Sequence, residues 1–313
     1  MQRDVVLALM QLKGISRKTI ISHISVSIDC DYTAKGIDSL LAEARQKSPR
    51  IKQYSLDEIS AAIKAAEKIK NNCQKLDIKI VSFLDEDYPR LFKECLDPPA
   101  VIYYKGDISY INEMDSVAII GTREPSDYGK RIAIKLGESF AKRGFVDVSG
   151  LAIGCDAGGH QGCLNAGGKT IAIMAGGLDK IYPQENKKLA EDIVEKGGAL
   201  MSEYPPYSNP YKGAFVDRDR LQSALSCGVM VIETREKGGT LHAVRYAGDY
   251  GRLVGCFKHP EKLSNIEQAG GNKMLVRDGK AVFVGNDADL DDYCNKLHEK
   301  GCGLKSGKQD TGH

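Results

Sequence analysis

The chain lacks any apolar run approaching the roughly 20 residues of a membrane-spanning helix. Its start, Met1-Gln2-Arg3-Asp4, lacks the basic-then-apolar layout of a secretory leader. The expectation is a soluble cytoplasmic protein. An excess of one charge is missing too: 44 Lys and Arg stand against 42 Asp and Glu, a formal net charge of +2. A protein that coats nucleic acid is far more basic, so any nucleic-acid contact must come from a local patch. Cysteine occurs nine times, at Cys30, Cys73, Cys95, Cys155, Cys163, Cys227, Cys256, Cys294 and Cys302, yet no two are separated by two residues. Neither a metal site nor a disulfide framework is expected, and the cysteines read as small buried hydrophobes.

A Gly-x-Gly-x-x-Gly fingerprint is also absent from the first turn of the main α/β region. That turn reads Gly121-Thr122-Arg123-Glu124-Pro125-Ser126, with an arginine and a proline where a dinucleotide pyrophosphate needs close backbone approach. A dinucleotide-dependent dehydrogenase is therefore disfavoured.

With 313 residues, 42% of them hydrophobic, the chain can hold one large domain or two ordinary ones. Residues 1–75 read as a small helical domain: Val5, Val6, Ala8, Leu9 and Leu12 recur at helical spacing, a second helix follows around Thr19 to Ile24, and a third runs from Leu56 through Ile69. The Leu12-Lys13-Gly14-Ile15-Ser16 break resembles the turn of a helix-hairpin-helix DNA module, and equally an ordinary turn in a helical packing domain. From Ile78 to Tyr104, apolar runs separated by Tyr88-Pro89 and Pro98-Pro99 read as strands and turns that lead into the main domain, residues 76–299. There strands are expected at Val117 to Gly121, Phe145 to Val148, Thr170 to Met174, Ala199 to Met201, Gly228 to Glu233 and Arg252 to Phe257. Amphipathic segments such as Lys130 to Arg143 alternate with them. This is an α/β pattern: a Rossmann-like parallel sheet with helices on both faces. Ala269 to Asn272 reads as a loop, Ala281 to Val284 as a short strand, Asp287 to about His298 as a helix, and 300–313 as a flexible tail.

Five strand-like runs end in turns of glycine and polar residues: Gly121 to Arg123, Ser149 to Gly154, Gly176 to Asp179, Ser202 to Tyr204, and Glu233 through Gly238-Gly239-Thr240. In a parallel sheet such loops share one edge, where free N–H groups and helix N-termini favour anions. Arg123 suits a phosphate because its planar fork donates paired hydrogen bonds. Glycines at 121, 150, 154, 177, 238 and 239 permit close approach of a ligand. Lys180 and Lys187, flanking Tyr182-Pro183, combine cations with a flat ring, as a single strand requires. Asp156 and His160 share a helical face, and with no nucleophile beside them His160 is expected as an internal hydrogen-bonded side chain. Asp156 reads equally as a structural or a functional group. Glu203 and Glu233 are expected to orient the forks of Arg218 and Arg220, although acid/base chemistry or a ribose contact would suit the same carboxylates. No catalytic residue and no cofactor are expected.

Several segments together resemble the DNA-processing protein A (DprA/Smf) family: Val117 to Arg123 with Tyr128-Gly129, Ser149 to Gly154 with Asp156 and His160, Gly168 to Ala172, Gly177 to Pro183 with Asn186, Ser202 to Pro206, and Phe215 with Arg218 and Arg220. The likeness runs in consistent order from about Ile80 to Leu297. It implies an extended Rossmann fold that binds single-stranded DNA without strong sequence preference, forms a homodimer and helps to load a RecA-type recombinase in natural transformation. On that likeness Gly121, Thr122, Arg123, Ser149, Gly150, Gly154, Gly177, Lys180, Lys187, Arg218, Arg220, Gly238, Gly239 and Thr240 are the expected DNA or phosphate contacts. Asp156, His160, Glu203, Asp219 and Glu233 form the expected supporting network.

This chain departs from the family pattern in the same loops. Arg218-Asp219-Arg220 stands where the family has Arg-Asn-Arg, which sets a negative charge between two expected phosphate ligands unless Asp219 pairs with one of them. Gly238-Gly239 replaces Ser-Gly, Cys155 and Gly158-Gly159 replace Ile and Ala residues, and the expectation is a member without the winged helix that follows in many relatives. A nucleotide-binding sensor on the same fold is the alternative, and a nucleotide hydrolase the lesser one, because Leu241-His242-Ala243 follows Thr240 where such hydrolases carry a glutamate.

Overall fold

The computed structural model describes residues 2–24 and 30–305. Nine strands form one mixed sheet: β1 (Lys79–Ser82), β2 (Val101–Gly106), β3 (Ser116–Ile120), β4 (Val146–Ser149), β5 (Thr170–Met174), β6 (Ala199–Ser202), β7 (Gly228–Val231), β8 (Leu253–Phe257) and β9 (Val282–Val284). Their spatial order is β1-β2-β6-β5-β4-β3-β7-β8-β9. From β6 to β9 all neighbours are parallel, as the strand-helix alternation predicts, and β1 and β2 add an antiparallel edge. The chain builds outward from β3 through β4, β5 and β6, then returns to lay β7 on the other side of β3. The order therefore reverses between β3 and β7, the place where open parallel sheets leave a crevice beyond their strand ends.

Side chains of β3 alternate between two cores, Val117 and Ile119 on one face, Ala118 and Ile120 on the other. That period of two buries both faces of the sheet. The helices Asp127–Lys142 and Asp287–Lys305 cover one face through Ile132, Ala133, Phe140, Tyr293 and Leu297. On the other, Thr240–Asp249 and Glu267–Arg277 pack through Ala243, Ala247 and Leu275.

The N-terminal residues form helices Gln2–Leu9, Arg17–Thr19, Ala34–Lys47 and Leu56–Lys75, the second continuing into a π-turn over Ile20–Ile24. Ala34–Lys47 is an element the sequence reading passes over. It is capped by Thr33, whose side chain accepts from the Gly36 N–H, and it buries Ile37, Leu40, Leu41 and Ala44 on one stripe. These helices share a core with Tyr103, Ala172, Met174 and Leu200 of the sheet. Charges reinforce the contact: Arg17 donates to Asp97 at 2.9 Å and lies 3.5 Å from Glu203, and Arg3 donates to Asp85 at 2.8 Å.

Two expectations are corrected. Ala269 to Asn272, read as a loop from its paired glycines, lies inside the helix Glu267–Arg277. A Cβ on Gly271 would meet the Thr234 and Arg235 carbonyls at 2.6 and 2.5 Å, so the glycine serves close packing rather than a turn. Asn272, 1% exposed, donates to the Ile232 and Phe257 carbonyls and accepts from the Thr234 N–H, pinning that helix to the loop after β7. The helix expected to stop near His298 continues to Lys305, and the remainder of the expected tail, 306–313, falls outside the described residues.

Candidate nucleic-acid interface

Two adjoining clefts open at the C-terminal edge of the sheet. The larger, about 560 Å³, lies at the β3/β7 switch point between Gly121 to Glu124 and Thr234 to Thr240. The smaller, about 190 Å³, lies beyond β5 between Gly176 to Tyr182 and Ser208 to Pro210. Phe215 and Arg218, from the helix Lys212–Ala224, line both.

The loop after β3 is drawn close to the loop after β4. Thr122 N–H donates to the Glu233 carbonyl at 2.7 Å, and Cys155 N–H donates to the Thr122 carbonyl at 3.2 Å. Gly154, at φ +94°, is where the two loops touch, and a Cβ there would meet the Thr122 and Arg123 carbonyls at 2.6 and 2.8 Å. Arg123 projects into the larger cleft with its guanidinium 5.3 Å from the Phe215 ring centre. No ion pair holds Arg123 among the described residues. Tyr182 also packs near Phe215, the two rings tilted with centres 5.9 Å apart. Across the cleft, the helix Thr240–Asp249 begins at Gly239 without a side-chain cap. Its Leu241 and His242 N–H groups close back onto the Gly238 and Gly239 carbonyls at 3.3 and 2.9 Å, a tight first turn.

Beneath these groups runs a charge relay. Arg218, 6% exposed, donates to the Gly150 carbonyl and through Nε to Asp219 Oδ1 at 3.0 Å, and it lies 3.8 Å from Asp156. Asp156 accepts from the N–H groups of Gly150 and Ala152, which shapes the loop after β4. Burial raises both carboxyls while Arg218 opposes it, leaving Asp156 above the usual range and Asp219 at about 6. The Gln222 amide, with its nitrogen toward Asp219 Oδ1 at 3.2 Å, adds a neutral donor. Asp219 therefore does pair with an arginine.

Of the expected contacts, the larger cleft gathers Gly121, Thr122, Arg123, Arg218, Gly238, Gly239 and Thr240, and the smaller gathers Gly150, Gly177, Lys180 and again Arg218. Others stand elsewhere. Arg220 is 2% exposed, donates to Glu203 and to the Asp97 carbonyl, and lines neither cleft. Lys187 points along its own helix toward Glu191, 3.9 Å away. Ser149 is buried, its hydroxyl donating to the Ile119 carbonyl at 2.6 Å. Gly154 borders an open groove with Ile153 and Gln161 rather than either cleft.

In the supporting network, Glu203 pairs with Arg220, but no arginine among the described residues pairs with Glu233. It accepts from the Ser126 N–H at 2.8 Å and the Ser126 hydroxyl at 2.7 Å, and pairs with His259 at 2.9 Å. Burial would raise its pKa, but the bonds from His259 and Ser126 outweigh burial and hold it below the usual range. His160 is internal and hydrogen-bonded, with Nδ1 2.6 Å from Thr170 Oγ1 and 3.0 Å from Asp147, while Asp156 turns to Arg218 instead. Cleft residues that the sequence reading did not single out as contacts are Phe215, Lys212, Arg235, Lys237 and His242. Their signal was present in part: Phe215 lies three residues before Arg218, one turn along the same helix face.

Residues 79–297 match the family model of the DNA recombination-mediator protein A. The chain belongs to that family. Within it, the chain is 40% identical over 203 residues to protein Smf of Synechocystis, a match covering 64% of this chain and 50% of that one. To the DNA processing protein DprA of Bacillus subtilis it is 38% identical over 210 residues, 67% of this chain and 70% of the relative. The match thus spans half of the Synechocystis protein's length. Among solved structures, DNA processing protein A from Streptococcus pneumoniae superposes with a TM-score of 0.73 at 26% identity, over 90% of this chain and 95% of that one. DNA processing protein A from Helicobacter pylori, described for its single-stranded DNA binding mode, gives a TM-score of 0.61 at 30% identity, over 71% and 96%. In the DprA frame, the departures noted above lie around the clefts: Asp219 and Gly238-Gly239 line the larger one, and Cys155 packs beneath Gly121. No helix among the described residues is long and apolar enough to cross a membrane.

Proposed function

We propose that this chain binds single-stranded DNA in the larger cleft, without strong sequence preference, as a DprA-type mediator of recombination. One observation carries the reading: a cation without an ion-pair partner among the described residues, Arg123, lies over the ring of Phe215, 5.3 Å from its centre, and Phe215 lines both clefts. A guanidinium beside a flat ring suits a phosphate followed by a base, and Lys212 and Lys237 add two further cations along the same cleft. An isolated base pair edge would need donors and acceptors in fixed pairs, whereas this cleft offers glycine backbone, cations and a ring, with its Asp156 and Asp219 carboxylates engaged by Arg218, which fits sequence tolerance.

The Helicobacter pylori relative is described by its single-stranded DNA binding, and the likeness to it supports the same ligand here. By extension the chain acts in the cytoplasm as a homodimer that delivers the strand to a RecA-type recombinase. The reading requires no catalytic step.

Fluorescence anisotropy with single-stranded and duplex oligonucleotides across a salt series tests the proposal. Expected are tighter binding to the single strand and a linear fall of log affinity with log salt, with a slope of about 0.7 per phosphate contacted. Equal binding to duplex, or no strand binding at low salt, would overturn it.

A further inference from the structure

Three tyrosines at the rim of the smaller cleft, Tyr182, Tyr207 and Tyr211, keep 52%, 60% and 56% of their surface in contact with solvent. Rings so exposed gain little from burial, so packing alone does not account for them. Tyr207 moreover stands at φ +69°, in the left-handed region that disfavours a bulky side chain. Its backbone is held there from both sides. The Tyr207 N–H donates to Asp179 Oδ1 at 2.6 Å, and the next carbonyl, of Ser208, accepts from the Gly177 N–H at 2.9 Å. Tyr211, four residues on, is held through its side chain: its ring meets Tyr204 edge-on at 6.2 Å, and the two hydroxyls donate to one carboxylate, Asp217, at 3.2 and 2.8 Å. Between the two tyrosines, Ser208, Asn209 and Pro210 form a wall of the smaller cleft, which Lys180 and Tyr182 also line.

We propose that Tyr207 and Tyr211 form a stacking platform for nucleobases, which carries the single-strand path from the larger cleft across the smaller one. The inference rests on the strand-binding reading above and adds a second contact region to it. Both clefts share Phe215 and Arg218, so a strand leaving Arg123 meets the smaller cleft next. Charge selects the occupant. Lys180 lines the smaller cleft and Lys212, next to Tyr211 in sequence, lines the larger one; both are exposed and make no ion pair among the described residues, so the surface offers cations beside flat rings, the pairing that a chain of phosphates and unstacked bases requires. Duplex DNA keeps its base faces covered and cannot use the rings.

The test measures anisotropy with oligothymidylate and with an abasic oligomer of equal length, for the wild type and for Tyr207→Gly, Tyr207→Phe, Tyr211→Ala and Arg123→Ala. Glycine accepts the φ of position 207, so Tyr207→Gly removes the ring without straining the backbone. Tyr207→Gly and Tyr211→Ala are expected to weaken oligothymidylate binding roughly five- to hundredfold, the range for losing one stacked base. Tyr207→Phe should stay within about twofold, because the face and not the hydroxyl makes the contact. The abasic oligomer should bind wild type and ring variants alike. Ring variants that hold oligothymidylate as tightly as wild type, while Arg123→Ala loses it, overturn the platform and leave the cleft reading standing. Equal loss on the abasic oligomer also overturns it. A wild type that binds no strand defeats the underlying reading instead.

Discussion

Arg218 and Asp219, adjacent on one helix, pair with each other: Arg218 Nε donates to Asp219 Oδ1 at 3.0 Å on the floor of the larger cleft. Successive helical side chains point about 100° apart, so the arginine must fold back over its own helix to make this bond. The cleft therefore presents a partly neutralised Arg218, and Arg123 is left as its principal unpaired fork.

Asp219→Asn should change both stability and binding. Unfolded, the carboxyl titrates near 3.9; folded, burial pushes it up to about 6. Between those values the folded protein holds a proton that the unfolded chain has released, so stability falls as pH rises through this window. The cost, on the order of 3 kcal/mol, is fully present above it. The Asn variant lacks that slope, and urea denaturation should find it more stable than wild type near pH 8 and level with it near pH 4. Strand affinity should rise in the variant at neutral pH, because the negative charge beside Arg218 is removed. Identical pH slopes in the two proteins would contradict this account.

Arg123→Ala should weaken single-strand binding about tenfold or more at moderate salt, since one charge-assisted contact is worth roughly 1.5–3 kcal/mol. The salt slope should shrink by about 0.7, the share of one phosphate. Thermal stability should hardly move, as the guanidinium makes no ion pair among the described residues and lies over a single ring. An unchanged salt slope would remove Arg123 from the phosphate path.

Arg220→Ala should show the opposite pattern. Arg220 is buried against Glu203, itself 8% exposed, and deleting one member of a buried pair costs about 3–5 kcal/mol. Denaturation should register that loss, while the folded variant keeps wild-type strand affinity at saturating stability conditions such as low temperature. A binding defect without a stability defect would place Arg220 in the interface after all.

Glu233→Gln tests the anchor beneath the first loop. The carboxyl is held below its usual range, so its contribution is present above about pH 4.3 and lost as pH falls through the folded value. At pH 7 the variant should be less stable by about 1.5–3 kcal/mol, with the gap closing in acid, as read from denaturation at stepped pH. Gly129→Ala should act on the same anchor, because a Cβ there would run into the Glu233 carboxylate.

Much of the fold is legible in strand-length apolar runs that end in small polar turns: all six strands expected between Val117 and Phe257 exist within a residue or two of their expected limits. Less legible are features that depend on packing. The helix Ala34–Lys47 holds Gly36 near its start, where a Cβ would collide with the Asp31 carbonyl, so the helix depends on a close packing that no local periodicity announces. The helix containing Ala269-Gly270-Gly271-Asn272 was lost for the same reason.

Local sequence by itself determined the alternation of strands and helices, and with it the loops that share one edge. It also supplied the ordered motifs that mark the family, because periodicity and turn chemistry are short-range properties. Tertiary structure decided which of these loops meet. The reversal of strand order between β3 and β7 sets Arg123 opposite Gly238 to Thr240, residues more than a hundred positions apart. It also separated Arg218 from Arg220. Two positions on a helix differ by about 200°, so one arginine faces the cleft and the other faces Glu203 and the core, a division that appears only once the segment is known to be helical and packed on both sides.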